Sequence, residues 1–346
     1  MAAPARVPAA RIVVAGAGSI GCYVGGCLTL AGRDVTLLLR PALADAIASH
    51  GLRITDLDGA DRQLAPTAVK IATDPAAAFA EADIILVTVK SGDTAGMAEQ
   101  IAEHAPSGAT VISLQNGVGN VDVLLGRLGA LGRVVPGMVP FNVVQTEEEG
   151  RRRFHRATSG TLLVAAGTQG LRAVLDVPGL RVAEHADMTS VLWSKLILNL
   201  NNALNALSGI PLAAQLADRR WRLLLARQMR EALAAMKAAG ITPARVEGVP
   251  PSAMPRILRL PNWLFRLVAR RMLAIDPQAR SSMWEDLERR RPTEIDYLQG
   301  AILALARKAN TPAPLTAAIA RLVRQAEAAR RGSPKLTPDD VARARA

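Results

Sequence analysis

The feature that most constrains this chain is the run Gly16-Ala17-Gly18-Ser19-Ile20-Gly21, placed directly after the apolar stretch Ile12-Val13-Val14-Ala15. The spacing G-x-G-x-x-G says little alone. After a buried strand and at the mouth of a helix, it specifies a strand–turn–helix. The first glycine permits the tight turn, the second lets a phosphate approach the backbone, and the third lets helix and strand pack closely. The helix start then offers amide donors and a partial positive charge to an anion. Gly16, Ala17, Gly18, Ser19, Ile20 and Gly21 are therefore the first candidates for holding a dinucleotide. A glycine-rich turn holding nothing is the competing reading.

The alternation continues downstream. A helical pattern runs to about residue 31, and apolar runs follow at 35–39, 84–89 and 110–114, with an alanine-rich helix at 75–82. Strand, helix, strand with short turns is the pattern of a parallel sheet. Residues 134–144 and 160–166 read as later strands, and the charged stretch 147–153 as a solvated turn between them. After Asp187 helical periods take over, at 188–207, 211–239, 292–309 and 313–329, with a proline-punctuated connection at 250–261. The expected fold is α/β: an N-terminal Rossmann-type parallel-sheet domain over residues 1–188, then an all-α domain over 189–330. A basic tail, 331–346, is expected to fray.

Several polar residues stand where such a fold collects ligands. Arg40 ends the second strand, 19 residues after Gly21. A carboxylate there would grip the ribose 2′-hydroxyl of NAD, whereas a cation accommodates the 2′-phosphate of NADP, so NADP is favoured. Lys90 and Asn116 follow the third and fourth strands at their C-terminal ends, where either cofactor contact or plain loop chemistry would suit them. Lys195 is one of only six lysines and lies in the apolar helix Val-Leu-Trp-Ser-Lys-Leu-Ile-Leu-Asn. Asn199 at i+4 and Asn202 at i+7 project from the same face. Burial would lower the lysine pKa and make it a competent proton donor, while the alternative is a side chain that snorkels to solvent. Ser282 and Glu294 sit at two successive helix starts, where capping is the default role and anion binding or dipole stabilisation the alternative.

Composition removes other classes. The chain of 346 residues carries 42 Lys and Arg against 30 Asp and Glu. The excess is confined to residues 189–346, with 26 cations against 12 acids. That asymmetry suggests attraction for something anionic, although 36 of the 42 cations are arginine, as a coding bias would also give. Only ten aromatics occur, so a nucleic-acid partner is not expected. Cys22 and Cys27 lie on different sides of one helix, and His50, His104, His155 and His185 are scattered, so neither a disulfide nor a metal site is expected. The uncharged run 196–217 contains four asparagines and a proline, which argues against a spanning helix. A cytoplasmic protein with no membrane partner is expected, and a homodimer is allowed.

Taken with GAGSIG, VTLLLR, LVTVK and LQNGVGN, the strings WSKLILN at Lys195 and SSMWEDLERRRPTEIDYLQG near the C-terminus carry a more specific signal. Together they resemble the NADPH-dependent 2-dehydropantoate 2-reductases, or ketopantoate reductases, over nearly the whole chain. The resemblance implies reduction of 2-dehydropantoate to (R)-pantoate, a step of pantothenate biosynthesis, with a small anionic 2-oxo acid as substrate and NADPH as cofactor. It implies Lys195 as general acid and Glu294 as the carboxylate near the reacting groups and cofactor. Asn116, Asn199 and Ser282 are implied as substrate or nicotinamide contacts, with Asn202 as a further amide. The chain departs from the pattern at Ala203 and Ala279, where some members carry amides, and in a longer segment at 249–277. These departures bear on the substrate more than the reaction. Another branched 2-oxo acid, or a non-catalytic NADPH sensor, are the competing readings.

Overall fold

A computed structural model describes residues 10–129, 132–148, 150–168, 170–245, 249–270 and 278–344. The chain divides into two compact units, Met1–Met188 and Thr189–Ala346.

In the first unit, β1 (Arg11–Ala15) leads through the glycine turn into α1 (Ser19–Leu30) and β2 (Asp34–Leu38). Then come α2 (Pro41–His50), β3 (Leu52–Asp56), β4 (Asp61–Leu64) and β5 (Lys70–Ala72). The chain continues through α3 (Pro75–Phe79), β6 (Ile84–Val87), α4 (Thr94–His104), β7 (Thr110–Ser113), α5 (Asn120–Leu128) and β8 (Arg133–Met138). It closes with β9 (Val143–Glu148), β10 (Arg151–Arg156), β11 (Leu162–Ala165), α6 (Leu171–Leu175) and β12 (Val182–His185). The main sheet has the order β12-β11-β8-β7-β6-β1-β2-β5. It is parallel from β5 to β8, and β11 turns antiparallel against β8.

β1 shows why its sequence is a continuous apolar run. Ile12 and Val14 face a core shared with Tyr23 and Leu28 of α1, while Val13 and Ala15 face a second core built with Phe79, Ile101 and Leu124. Both faces of the strand are covered, so polar alternation has no place in it. Because β2 and β6 flank β1 on opposite sides, the strand order reverses at the C-terminal end of β1.

The charged stretch 147–153 differs from its sequence reading. Its described residues lie in a hairpin, β9 with β10, in a second sheet of order β4-β3-β10-β9. Glu147 lies directly opposite Arg152 and pairs with it at 2.8 Å, and Arg153 reaches Glu148 at 2.8 Å. Cross-strand pairing of opposite charges turns an apparently loop-like string into strand.

The second unit is helical. The expected helix at 188–207 is two, α7 (Met188–Asn199) and α8 (Asn201–Ser208), parted at Leu200. Likewise 211–239 is α9 (Leu212–Ala217) and α10 (Arg219–Ala238), parted at Asp218, whose carboxylate accepts from the Arg220 amide and starts α10. Short α11 (Met254–Leu258) and α12 (Asn262–Val268) precede α13 (Ser282–Glu288), α14 (Ile295–Lys308), α15 (Pro314–Ala329) and α16 (Pro338–Arg343). α15 lacks a cap of its own. Its first amides, from Leu315 and Thr316, are instead taken by the Glu231 carboxylate of α10.

The tail does not fray over its described residues. Ser333 Oγ donates to the Ala206 carbonyl at 2.7 Å, the Leu336 amide donates to that of Leu207, and Thr337 with Asp340 forms a capping box for α16. Val341 is fully buried, so an apolar anchor reinforces these bonds.

Candidate active site

In the first unit the candidate residues gather at the C-terminal ends of β1, β2, β6 and β7. Gly16 has φ of +75°, and a Cβ there would stand 2.0 Å from Val89 Cγ1, so glycine is required twice over. At Gly18 a Cβ would meet nothing within 4 Å, leaving the backbone open to a ligand. At Gly21 it would strike Thr88 Oγ1 at 2.5 Å and Val14 at 2.9 Å, so helix–strand contact depends on its absence. α1 has no side-chain cap and no acid in its first turn, leaving its amides and positive dipole end available to an anion. This geometry fits the pyrophosphate of a dinucleotide.

The neighbouring loops are tied to that turn. The Ala17 amide donates to the Leu38 carbonyl at the end of β2, and Thr88 Oγ1 donates to the Gly16 carbonyl at 3.1 Å. Arg40 begins α2 with its side chain 86% exposed, and its 3.7 Å approach to exposed Asp93 is weak enough to leave it open to a phosphate. Lys90 and Asn116, both exposed, are brought near one another by a buried polar network that the sequence reading missed. Ser91 Oγ donates to the Asn116 carbonyl at 2.9 Å, and Asn120 Nδ2 to the same oxygen at 2.7 Å. Gln115 Nε2 donates to Thr94 Oγ1 and to the Val89 carbonyl, while Thr94 Oγ1 donates to Asn120 Oδ1. Every member is engaged, so both loops are held rigidly under Lys90 and Asn116. The only sequence signal for this was polar density in Gln115-Asn116…Asn120.

In the second unit Lys195 and Asn199 lie one turn apart on α7. Lys195 is half-buried, and desolvation pulls its ammonium pKa down to about 8. Asn202 lies beyond the break at Leu200 and so does not continue the α7 face. Its carbonyl accepts from Ser281 Oγ at 3.0 Å, which brings Asn202 beside the start of α13 and hence beside Ser282. The cap of α13 is Ser281, whose Oγ accepts from the Trp284 amide, and not Ser282, which is exposed at the first helical position. Asn205 fixes this junction from within, its Oδ1 accepting from the Ser281 amide and its Nδ2 donating to Gln215.

Glu294 occupies the N-cap position of α14 without a side-chain cap bond. From the same helix, fully buried Gln299 donates through Nε2 to the Leu200 carbonyl at 3.1 Å. That bond meets α7 at its broken end and links the helix of Glu294 to that of Lys195 and Asn199. Gln299 stood in the string YLQG without any spacing to mark it. Among the described residues no cluster of His, Cys, Asp or Glu is arranged to hold a metal ion, and no helix is long and apolar enough to cross a membrane.

Two family models match the chain. The ketopantoate reductase PanE/ApbA model matches residues 12–169, and the model of the C-terminal part of the same family matches 187–327. A 2-dehydropantoate 2-reductase of Halobacterium salinarum is 30% identical, with 92% of this chain and 99% of that protein covered. One from Mesorhizobium japonicum is also 30% identical, covering 91% and 97%. Among solved structures, a PanE/ApbA family ketopantoate reductase from Ralstonia eutropha superposes with a TM-score of 0.77 at 30% identity, over 93% of this chain and 99% of that one.

Proposed function

Since the chain belongs to the ketopantoate reductase PanE/ApbA family of oxidoreductases, we propose that it reduces 2-dehydropantoate to (R)-pantoate with NADPH, in pantothenate biosynthesis. The observation that carries the mechanism is a half-buried lysine on α7, one turn from the amide of Asn199, whose ammonium pKa desolvation lowers to about 8. When bound, NADPH supplies the hydride that adds to the ketone carbon. Gly16 to Gly21 hold its pyrophosphate, Arg40 meets its 2′-phosphate, and Lys90 and Asn116 orient the rest. Lys195 gives its proton to the ketone oxygen as the C–O double bond becomes a single bond. The alkoxide is thereby neutralised and the alcohol released. Asn199, Asn202 and Ser282 hold the carboxylate and hydroxyl of the substrate, and Glu294 positions the reacting groups.

A second substrate deserves inclusion in the test because Ala203 is fully buried and apolar, so the position eight residues after Lys195 offers no amide. NADPH oxidation across a panel of 2-oxo acids decides between them. Fastest turnover on 2-dehydropantoate supports the reading, and preference for another branched 2-oxo acid reassigns the substrate. NADPH binding without turnover on any of them would make the protein a sensor.

A further inference from the structure

The strongest unexplained surface is on α12. Trp263 and Leu267, one turn apart, are 70% and 71% exposed, more than any other large apolar side chain among the described residues, and Val268 beside them is 52% exposed. This is not a loose helix turned at random. Its inner face, Phe265 and Ala269, is buried. Fully buried Arg222 of α10 donates to the Leu258 and Leu260 carbonyls and to the Asn262 side chain, with its guanidinium 4.0 Å above the Phe265 ring. The apolar strip is thus held outward by a built anchor.

The same segment carries Arg256, Arg259, Arg266 and Arg270, all exposed, and residues 249–270 contain no carboxylate. None of the four closes on a carboxylate among the described residues, whereas Arg53, Arg127, Arg153 and Arg324 each do. Arg219 adds a fifth cation by reaching over to the Arg259 carbonyl at 3.1 Å. An uncompensated basic rim about an exposed Trp–Leu–Val strip is the chemistry of a helix lying in a headgroup layer. The apolar side chains enter the acyl boundary, and the guanidinium groups meet lipid phosphates. A second copy in a two-fold contact would bring the same arginines together without acids to neutralise them. Single-stranded nucleic acid would find one stacking platform and two aliphatic side chains.

We propose that the outward face of α12 docks reversibly on an anionic lipid surface. The chain would lie on the bilayer without spanning it, which narrows the expectation of no membrane partner to one of no membrane crossing.

The test is co-sedimentation of the full chain with phosphatidylcholine vesicles, with and without phosphatidylglycerol, at low and high salt. Binding is expected only with the anionic lipid and should be lost as salt rises. Of the four tryptophans only Trp263 is exposed, so binding should shift emission to the blue, and Trp263→Ser should abolish the shift. The double variant Arg266→Gln/Arg270→Gln should bind roughly 25-fold more weakly, about fivefold per cation. NADPH binding in each variant confirms that it folds. Absence of sedimentation at low salt overturns the proposal, as does undiminished binding by Trp263→Ser/Leu267→Ser. A concentration-dependent dimer that those two substitutions dissociate would assign the face to a second copy instead.

Discussion

If Lys195 is the general acid, its titration should be visible in turnover. With the ammonium pKa near 8, about nine-tenths of the enzyme carries the proton at pH 7 and about one-tenth at pH 9. Wild-type kcat/KM should therefore fall roughly tenfold between those pH values and about tenfold per unit beyond. Lys195→Ala should lower kcat by ~10²–10⁴ and flatten this limb, while NADPH affinity stays near wild type. Lys195→Arg keeps the charge but cannot release a proton in this range, so it should rescue poorly. The same depression has a stability signature with the opposite sense. The unfolded chain binds this proton more tightly between pH 8 and the ordinary lysine value, so the lysine's cost falls as pH rises through that window. At neutral pH the cost is at most about 3 kcal/mol, reduced by the lysine's remaining solvent contact. Lys195→Met should raise Tm at pH 7 as it removes activity. Steady-state rates from pH 6 to 10, NADPH fluorescence titration and thermal melts measure all three. A wild-type profile flat to pH 10, or near-normal turnover in Lys195→Ala, would refute the assignment. Lost NADPH binding would recast the lysine as a cofactor or folding residue.

Arg40→Asp should weaken NADPH by about 10- to 100-fold, the range of a charge-assisted hydrogen bond, and NADH far less; an equal loss for both cofactors removes Arg40 from cofactor choice. Gly21→Ala places a Cβ 2.5 Å from Thr88 Oγ1 and 2.9 Å from Val14, so it should cost about 1–3 kcal/mol in denaturant unfolding and weaken cofactor binding measured by fluorescence. Gln299→Leu takes its donor from the Leu200 carbonyl, at a cost below about 1–3 kcal/mol because the buried, unpartnered Gln299 Oε1 goes with it, and should lower kcat more than NADPH affinity. Unchanged kcat would limit Gln299 to packing.

The strand–glycine–helix start was legible because local spacing dictates it. Gly16 and Gly21 carry in their sequence positions the same constraint that the coordinates show as near-contacts with Val89 and Thr88. The change to helix after Asp187 was equally plain in the periodicity. Illegible was whatever depends on a partner far along the chain. The breaks at Leu200 and Asp218 interrupt otherwise good helical patterns, and Leu200 meets its donor 99 residues later. The hairpin at β9 and β10 resembled a loop because its charges compensate across strands and not along them. Ser281 rather than Ser282 caps α13, a choice that two adjacent serines leave open until Asn202 and Asn205 are in place.

The remote capping of the helical unit also gives it long closures. The first turn of α15 is completed by Glu231, 84 and 85 residues upstream, and Ser333 reaches the Ala206 carbonyl across 127 residues. Each closure joins a late segment to a helix laid down far earlier in the chain, α10 for Glu231 and α8 for Ala206. Loops of that length are slow to close, and local helix propensity cannot shorten them. The cap of α15 and the seat of the tail are therefore non-local contacts, which a bundle whose helices begin and end on their own residues does not need.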